Sequence, residues 1–142
     1  MRGFLLDTNV ISELGKGARS NRGVVEWALA ADEMSFHLSV FTMGEIRKGI
    51  EKVSSPSKRA EFEGFIAATS NRFAGRIVDF DAAAADRWGR LVGRCELSGV
   101  KPPAVDSMIA AIAIEHGFTL VTRNLQDFRF AEVALLNPWQ SE

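Results

Sequence analysis

Gly3-Phe4-Leu5-Leu6-Asp7-Thr8-Asn9-Val10-Ile11-Ser12-Glu13 runs from an apolar stretch, through a polar break, into renewed apolar spacing. The first residues have strand character, and from Thr8 onward the stretch reads as a helix start. A strand that passes directly into a helix belongs to an alternating architecture, in which helices cover both faces of a parallel sheet. Asp7 closes the strand. Open parallel sheets bind ligands just beyond the carboxyl ends of their strands, which gives this carboxylate a functional reading. Asp7, Thr8 and Asn9 are also residue types that cap helices by accepting hydrogen bonds from the first amides. Both readings stay open at this position.

The same alternation continues along the chain, with no internal repeat or linker. Arg22 to Ala31 is expected to be a helix and Ser35 to Ser39 a strand. Phe41 to Val53 carries Met43, Ile46, Ile50 and Val53 at helical spacing, with Glu45 beside that stripe. Ser54 to Ser57 breaks the helix, which resumes over Lys58 to Asn71, so the two form a helical hairpin. Arg76 to Phe80 is a third strand, and Asp81 caps the helix that follows. In that helix Ala84, Trp88, Leu91, Val92 and Cys95 mark the core face, while Arg87, Arg90 and Arg94 point away. Pro103 suits a first helical position. Phe118 to Thr122 and Val133 to Leu136 supply a fourth and a fifth strand. The expected fold is therefore α/β, with a mainly parallel sheet of four to five strands.

At 142 residues the chain is expected to be one domain, spanning 1–142, and large enough to bury about two-thirds of its unfolded surface. Its 46% hydrophobic and 25% charged content is that of an ordinary globular protein. No apolar run approaches the ~20 residues that span a bilayer, and the N-terminus lacks the pattern of a signal peptide. A cytoplasmic protein without membrane association is expected. The lone cysteine, Cys95, excludes an internal disulfide and fits a reducing compartment. A net charge of −1 argues against nucleic-acid binding by bulk electrostatics, but not against a nuclease. Basic residues recur at Arg72, Arg76, Arg87, Arg90 and Arg94, and Arg47 and Lys48 flank Glu45; solvated helix faces account for most of them.

Ala104 to Ile114 is apolar nearly all round, with Asp106 as its exception. A buried, unpaired carboxylate costs several kcal/mol, and a helix N-terminus returns only ~0.3–1 kcal/mol. An ion pair to Arg123 or Lys101 is one remedy. A shared divalent cation is another, and it explains Asp7, Glu45 and Asp106 together. Mg²⁺ and Mn²⁺ prefer oxygen donors, and such a site polarises a phosphodiester and activates water for in-line attack.

Leu5 to Glu13, Glu45 within Thr42-Met43-Gly44-Glu45-Ile46-Arg47-Lys48-Gly49, Asp106 before its apolar helix, and Val121-Thr122-Arg123-Asn124-Leu125-Gln126-Asp127-Phe128 together resemble a PIN-domain ribonuclease. More narrowly, the chain is similar to VapC-type toxins of the FitB-like group, down to Asn137-Pro138-Trp139. The resemblance covers nearly the whole length. It implies a three-layer α/β/α sandwich that hydrolyses RNA with Mg²⁺ or Mn²⁺, usually as a homodimer. It also implies a cognate small antitoxin as partner, and a complex of the two on operator DNA. Carried over by position, Asp7, Glu45 and Asp106 form the catalytic acidic triad, with Asp7 and Asp106 as metal ligands. Asn124 stands where the family commonly has a fourth acid, and Asp127 lies one turn further on. Thr8, Asn9, Thr122, Asn124 and Asp127 are auxiliary candidates, and caps and strand-end hydrogen bonds explain Thr8, Asn9, Ser39 and Thr122 equally well. Glu13 is expected to face solvent. His37 and His116 have no zinc spacing.

The alternative function is an interaction module: a PIN-like fold that binds an antitoxin in a DNA-bound regulatory complex with little catalysis. No G-x-S-x-G, G-x-G-x-x-G or G-x-x-x-x-G-K-[ST] motif is present, which weakens serine-hydrolase, dinucleotide and P-loop readings. A phosphatase of another α/β fold lacks its D-x-D pattern, because Asn9 occupies the second position.

Overall fold

The central strand takes a neighbour on each side. In the computed structural model, which describes residues 3–139, Phe4 of β1 (Phe4–Leu6) is in register with Phe36 of β2 (Phe36–Ser39) and with Thr119 of β4 (Thr119–Val121). The edges are β3 (Ile77–Val78) beside β2 and β5 (Leu135–Leu136) beside β4, giving the order β3-β2-β1-β4-β5 with every pairing parallel. The helices are α1 (Thr8–Leu14), α2 (Arg22–Ala30), α3 (Val40–Glu51), α4 (Pro56–Arg72), α5 (Ala82–Leu97) and α6 (Ala104–His116).

Successive strand residues face opposite sides of a sheet, and that period divides the core in two. Leu6 and Val121 pack on one face with Val10, Val24, Ile46, Ile50 and Phe73, from α1 to α4 and the end of α4. Leu5 and Leu120 pack on the other with Ile109, Ile112, Ala113 and Phe128, under α5 and α6. The result is the expected three-layer sandwich. Its sheet residues are apolar on both sides because neither side meets water. Among the described residues, no helix is long and apolar enough to cross a membrane.

Polar residues at strand ends begin the helices. Ser39 ends β2, and its hydroxyl accepts from the Thr42 amide to start α3; Asp81 does the same for Ala84 in α5. Gly117 ends α6 at φ 69°, in the left-handed region that glycine enters without a steric penalty. The α3–α4 hairpin is closed by Arg47 to Glu63 at 2.8 Å and Arg59 to Glu51 at 2.9 Å.

Several boundaries differ from expectation. The third strand is only Ile77–Val78, and the fifth only Leu135–Leu136, as suits edge strands with one partner each. Pro103 is the residue before α6, with an extended backbone at φ −58° and ψ 142°, rather than its first helical residue. The Arg76 side chain, 10% exposed, lies within the fold rather than on an outer face, and exposed Arg72 stands beside it. Arg72 pairs with Glu33 at 2.7 Å, and Arg76 donates to the Phe36 carbonyl at 2.7 Å while lying over the Phe73 ring.

Leu120 is fully buried between neighbouring strands, whereas Leu29 on α2 is 82% exposed. Leu120→Ala should lower unfolding stability by about 2–5 kcal/mol, and Leu29→Ala should change it by less than about 0.5 kcal/mol. Urea denaturation of both variants beside the parent chain measures the contrast.

Candidate functional site

Asp7 is fastened to β4 by its backbone and by its side chain. Its N–H donates to the Val121 carbonyl at 2.9 Å, and its Oδ2 accepts from the Thr122 hydroxyl at 2.9 Å. Oδ1 accepts from the Thr8 amide at 2.9 Å, so Asp7 does cap α1. Capping and a place at the sheet edge therefore coexist in one side chain. Asn9 reinforces the junction: its Nδ2 lies 3.4 Å from Asp7 Oδ2 and 3.3 Å from the Thr122 hydroxyl, while its Oδ1 accepts from the Arg123 amide at 3.3 Å. The Thr122 hydroxyl also accepts from the Asn124 amide at 3.1 Å.

Glu45 arrives from the opposite side of β1, on the second turn of α3. The Thr8 hydroxyl donates to its Oε1 at 2.6 Å, a short charge-assisted bond, and the Thr42 hydroxyl lies 3.3 Å from that same hydroxyl. Thr42 was not singled out from sequence. It stands three positions before Glu45, one helical turn away, and that spacing is the available signal. The basic neighbours of Glu45 do not neutralise it by pairing, since Arg47 is taken by Glu63.

Asp106 lies half-buried in the first turn of α6. Among the described residues it makes no ion pair and accepts no hydrogen bond, so neither Arg123 nor Lys101 is its counter-ion. Arg123 instead stands over the Trp139 ring at 5.4 Å. The next residue, Ser107, anchors the helix start: it accepts from Trp88 Nε1 at 2.8 Å and donates to the Ala104 carbonyl at 2.7 Å. Sequence reading missed this clamp, whose cue is the need of a buried indole N–H for an acceptor.

Burial is the largest influence on Asp106, followed by the negative charges of Asp7, Asp127 and Glu45; together they push its pKa up to about 6. Burial also raises Asp7, against the opposing hydrogen bonds from Thr122 and Thr8, and Glu45 and Asp127 raise it further. Asp7, Asp127 and Glu45 all lie close enough to Asp106 for their charges to raise it, and Glu45 and Asp127 act on Asp7 in the same way. Asp127 is on the short 3-10 turn Leu125–Phe128 after β4, and with Asn124 it lines a groove of about 440 Å³. A second groove of about 440 Å³ opens beside Thr8 and Glu45 over an apolar floor that includes Ile46, Ile50 and Phe65.

Other expectations resolve differently. Glu13 is buried, accepting from Lys16 at 2.9 Å and from the Asn21 amide at 2.7 Å, so it braces the turn after α1 rather than facing solvent. His37 and His116 stack on the two sides of Phe118, with centroids at 4.4 and 5.2 Å, at the amino end of β4 and away from the acids. Ser39 is a helix cap.

A hard divalent cation suits this donor set. The acids offer oxygen ligands, act on Asp106 with like charge, and include in Asp106 a carboxylate with no partner among the described residues. Among the described residues, no three or more His, Cys, Asp or Glu side chains form a ready-made metal-binding group. Mg²⁺ does not need one, since one or two carboxylates with waters and phosphate oxygens complete its octahedron.

Comparison with known proteins gives concordant results. The model of the PIN domain matches residues 4–136. The VapC ribonuclease Y4jK of Sinorhizobium fredii is 34% identical over 138 residues, covering 96% of this chain and 98% of the relative. The toxin FitB of Neisseria gonorrhoeae is 35% identical over 137 residues, with 96% and 98% covered. The structure of FitAB bound to the IR36 DNA fragment superposes with a TM-score of 0.87 at 34% identity, covering 98% of this chain and 97% of the other.

Asp106 gives a pH-dependent stability prediction. Its folded pKa of about 6 exceeds the ordinary 3.8, so the stability it permits is present below pH 3.8 and is lost as pH rises through 6. In metal-free buffer, Asp106→Asn should raise Tm by roughly 2–5 °C at pH 7–8, with the difference shrinking towards zero near pH 4. Scanning calorimetry of both proteins across that range is the check.

Proposed function

Because this chain belongs to the PIN-domain family, we propose that it is the toxin of a toxin–antitoxin pair and an endoribonuclease that hydrolyses RNA phosphodiester bonds with Mg²⁺ or Mn²⁺. Residues 1–142 serve as one PIN-like domain. The observation that carries the reading is the negative charge gathered around Asp106, on which Asp7, Asp127 and Glu45 all act, while among the described residues it has no ion pair. A structural salt-bridge network would pair its acids. A site awaiting a cation leaves them without counter-ions.

Asp7 and Asp106 hold the metal in this reading. Asp7 is oriented by the Thr122 hydroxyl, leaving its carboxylate fixed at the end of β1. Glu45 completes the triad, aimed by Thr8 through a 2.6 Å bond that leaves its second oxygen available to a water or a ligated ion. Asp127 supplies the fourth negative charge that Asn124 does not, and Asn9 and Asn124 stiffen the turn through Thr122. When bound, the divalent ion supplies Lewis-acid polarisation of the phosphoryl oxygen and lowers the pKa of an attacking water. The protein supplies position: a sheet edge at which hydrogen bonds from Thr8 and Thr122 hold the Asp7 and Glu45 carboxylates.

A small antitoxin is the proposed protein partner, with the toxin acting as a homodimer and the pair assembling on operator DNA. Support comes from the similarity to FitB and to the DNA-bound FitAB structure. The missing acid at Asn124 gives the interaction-module alternative some support, while the acidic triad, with the charge of Asp127 acting on Asp7 and Asp106, supports the enzymatic reading.

Antitoxin-free protein incubated with a mixed RNA pool should cleave it in Mg²⁺ or Mn²⁺ and not in EDTA. Asp106→Asn should reduce cleavage to background while remaining folded by circular dichroism. Thr122→Val, which removes only the hydroxyl that orients Asp7, should cost roughly 10–100-fold in rate. Undiminished cleavage by the Asp106 variant would overturn the site assignment, and inactivity of the folded parent chain on every RNA would favour the interaction module.

A further inference from the structure

The outer face of α5 carries Arg87, Arg90 and Arg94 at steps of three and four, and the chain beyond β4 folds Arg129 and Phe130 against it. Together they line a groove of about 530 Å³ in which the acid on the wall is Glu132. Two of the four arginines have surface partners: Arg87 meets Glu115 at 3.2 Å and Arg90 meets Asp86 at 2.8 Å. Exposed pairs of that kind contribute little and exchange readily for another anion. Arg94 and Arg129 have no ion pair and no side-chain hydrogen bond among the described residues. Four guanidinium groups gather around one depression, a concentration that the chain's net charge of −1 does not reveal.

Arg129 borders this groove and also the one lined by Asn124 and Asp127, so the two grooves adjoin at Arg129. Resting on the nuclease reading above, we propose that the Arg87/Arg90/Arg94/Arg129 groove binds the backbone phosphates of single-stranded RNA to one side of the bond being cut. Arg87 to Arg94 is seven helical residues, about 10 Å at 1.5 Å rise. That length is greater than one phosphate group, so the row can meet successive phosphates of one strand. Guanidinium groups grip phosphate with paired N–H donors. Half-buried Phe130, part of the groove wall, offers a base a face to stack on, which favours an unpaired strand over a duplex. Charge segregated in this way gives local affinity that the overall balance of the chain does not.

The test compares the parent chain with Arg94→Glu/Arg129→Glu and with the milder Arg94→Ala/Arg129→Ala, using Arg22→Glu/Lys52→Glu as a control of equal charge change elsewhere. Binding of a labelled single-stranded RNA is followed by fluorescence anisotropy in EDTA, where nothing is cut, over a range of salt. The arginine variants should bind at least ~10-fold more weakly, and the slope of log affinity against log salt should fall by about 1.4, or ~0.7 for each of two lost phosphate contacts. In Mg²⁺ they should raise KM for long RNA more than they lower kcat. Parent-like affinity and salt slope in the variants, an equal loss in the control pair, no RNA binding by the parent, or an equal loss on duplex DNA would each overturn the proposal. If the parent cuts no RNA, the nuclease reading fails by itself, and the EDTA binding arm still decides whether the groove holds an RNA strand.

Discussion

Asp7 is pinned to β4 by two hydrogen bonds of 2.9 Å, one from its N–H to Val121 and one from the Thr122 hydroxyl to its carboxylate. Those bonds exist because β1 lies at the centre of the sheet, with β4 in parallel register through Leu6 and Val121. A parallel pairing delivers the ends of both strands to the same edge. The ends of β1, β2 and β4 are therefore gathered there, and each is followed by a turn or helix that presents polar groups. Loss of the Leu5 and Leu6 packing on either face would release the register and, with it, the common edge.

The crevice works against the stability of the fold that builds it. Burial and neighbouring negative charge raise Asp7 and Asp106 above ordinary carboxylates, and among the described residues no cationic side chain pairs with Asp106. A core filled on both faces of the sheet tolerates this. Fully buried Leu5, Leu120, Ile112 and Phe128 on one side, and Leu38, Ile50 and Phe73 on the other, supply the cohesion that the site lacks. Strain concentrated at one edge of an otherwise consistent structure is the expected pattern of a functional site.

Much of this was legible in the residues. The abrupt change at Asp7, the stripe of Met43, Ile46 and Ile50 beside Glu45, and the lone acid in an apolar helix at Asp106 each follow from periodicity and from the cost of burying charge. Edge strands were overlong in the sequence reading, because β-branched and apolar runs such as Val133 to Leu136 do not reveal that only one side finds a partner. Glu13 looked like a solvent-facing helix acid, and only the turn that brings the Asn21 amide back to it shows otherwise. Asp127 was legible as a candidate, but its influence on Asp106 depends on how the 3-10 turn after β4 folds back, which no local pattern encodes. The arginines of α5 read correctly as an outward face; their assembly into a groove required Arg129 from a distant segment.

Glu45 belongs to a helix packed on one face of the sheet and Asp106 to a helix packed on the other, while Asp7 and Asp127 stand near opposite ends of the chain. A growing polypeptide that has not yet produced β4 has neither the strand that registers β1 nor the Thr122 hydroxyl that holds Asp7. The acidic crevice is consequently among the last features to form during synthesis, and no early fragment of the chain contains it. For a protein that would attack the RNA of the cell making it, that ordering separates translation of the message from the appearance of the activity. An inhibitor made alongside would have that interval in which to be ready.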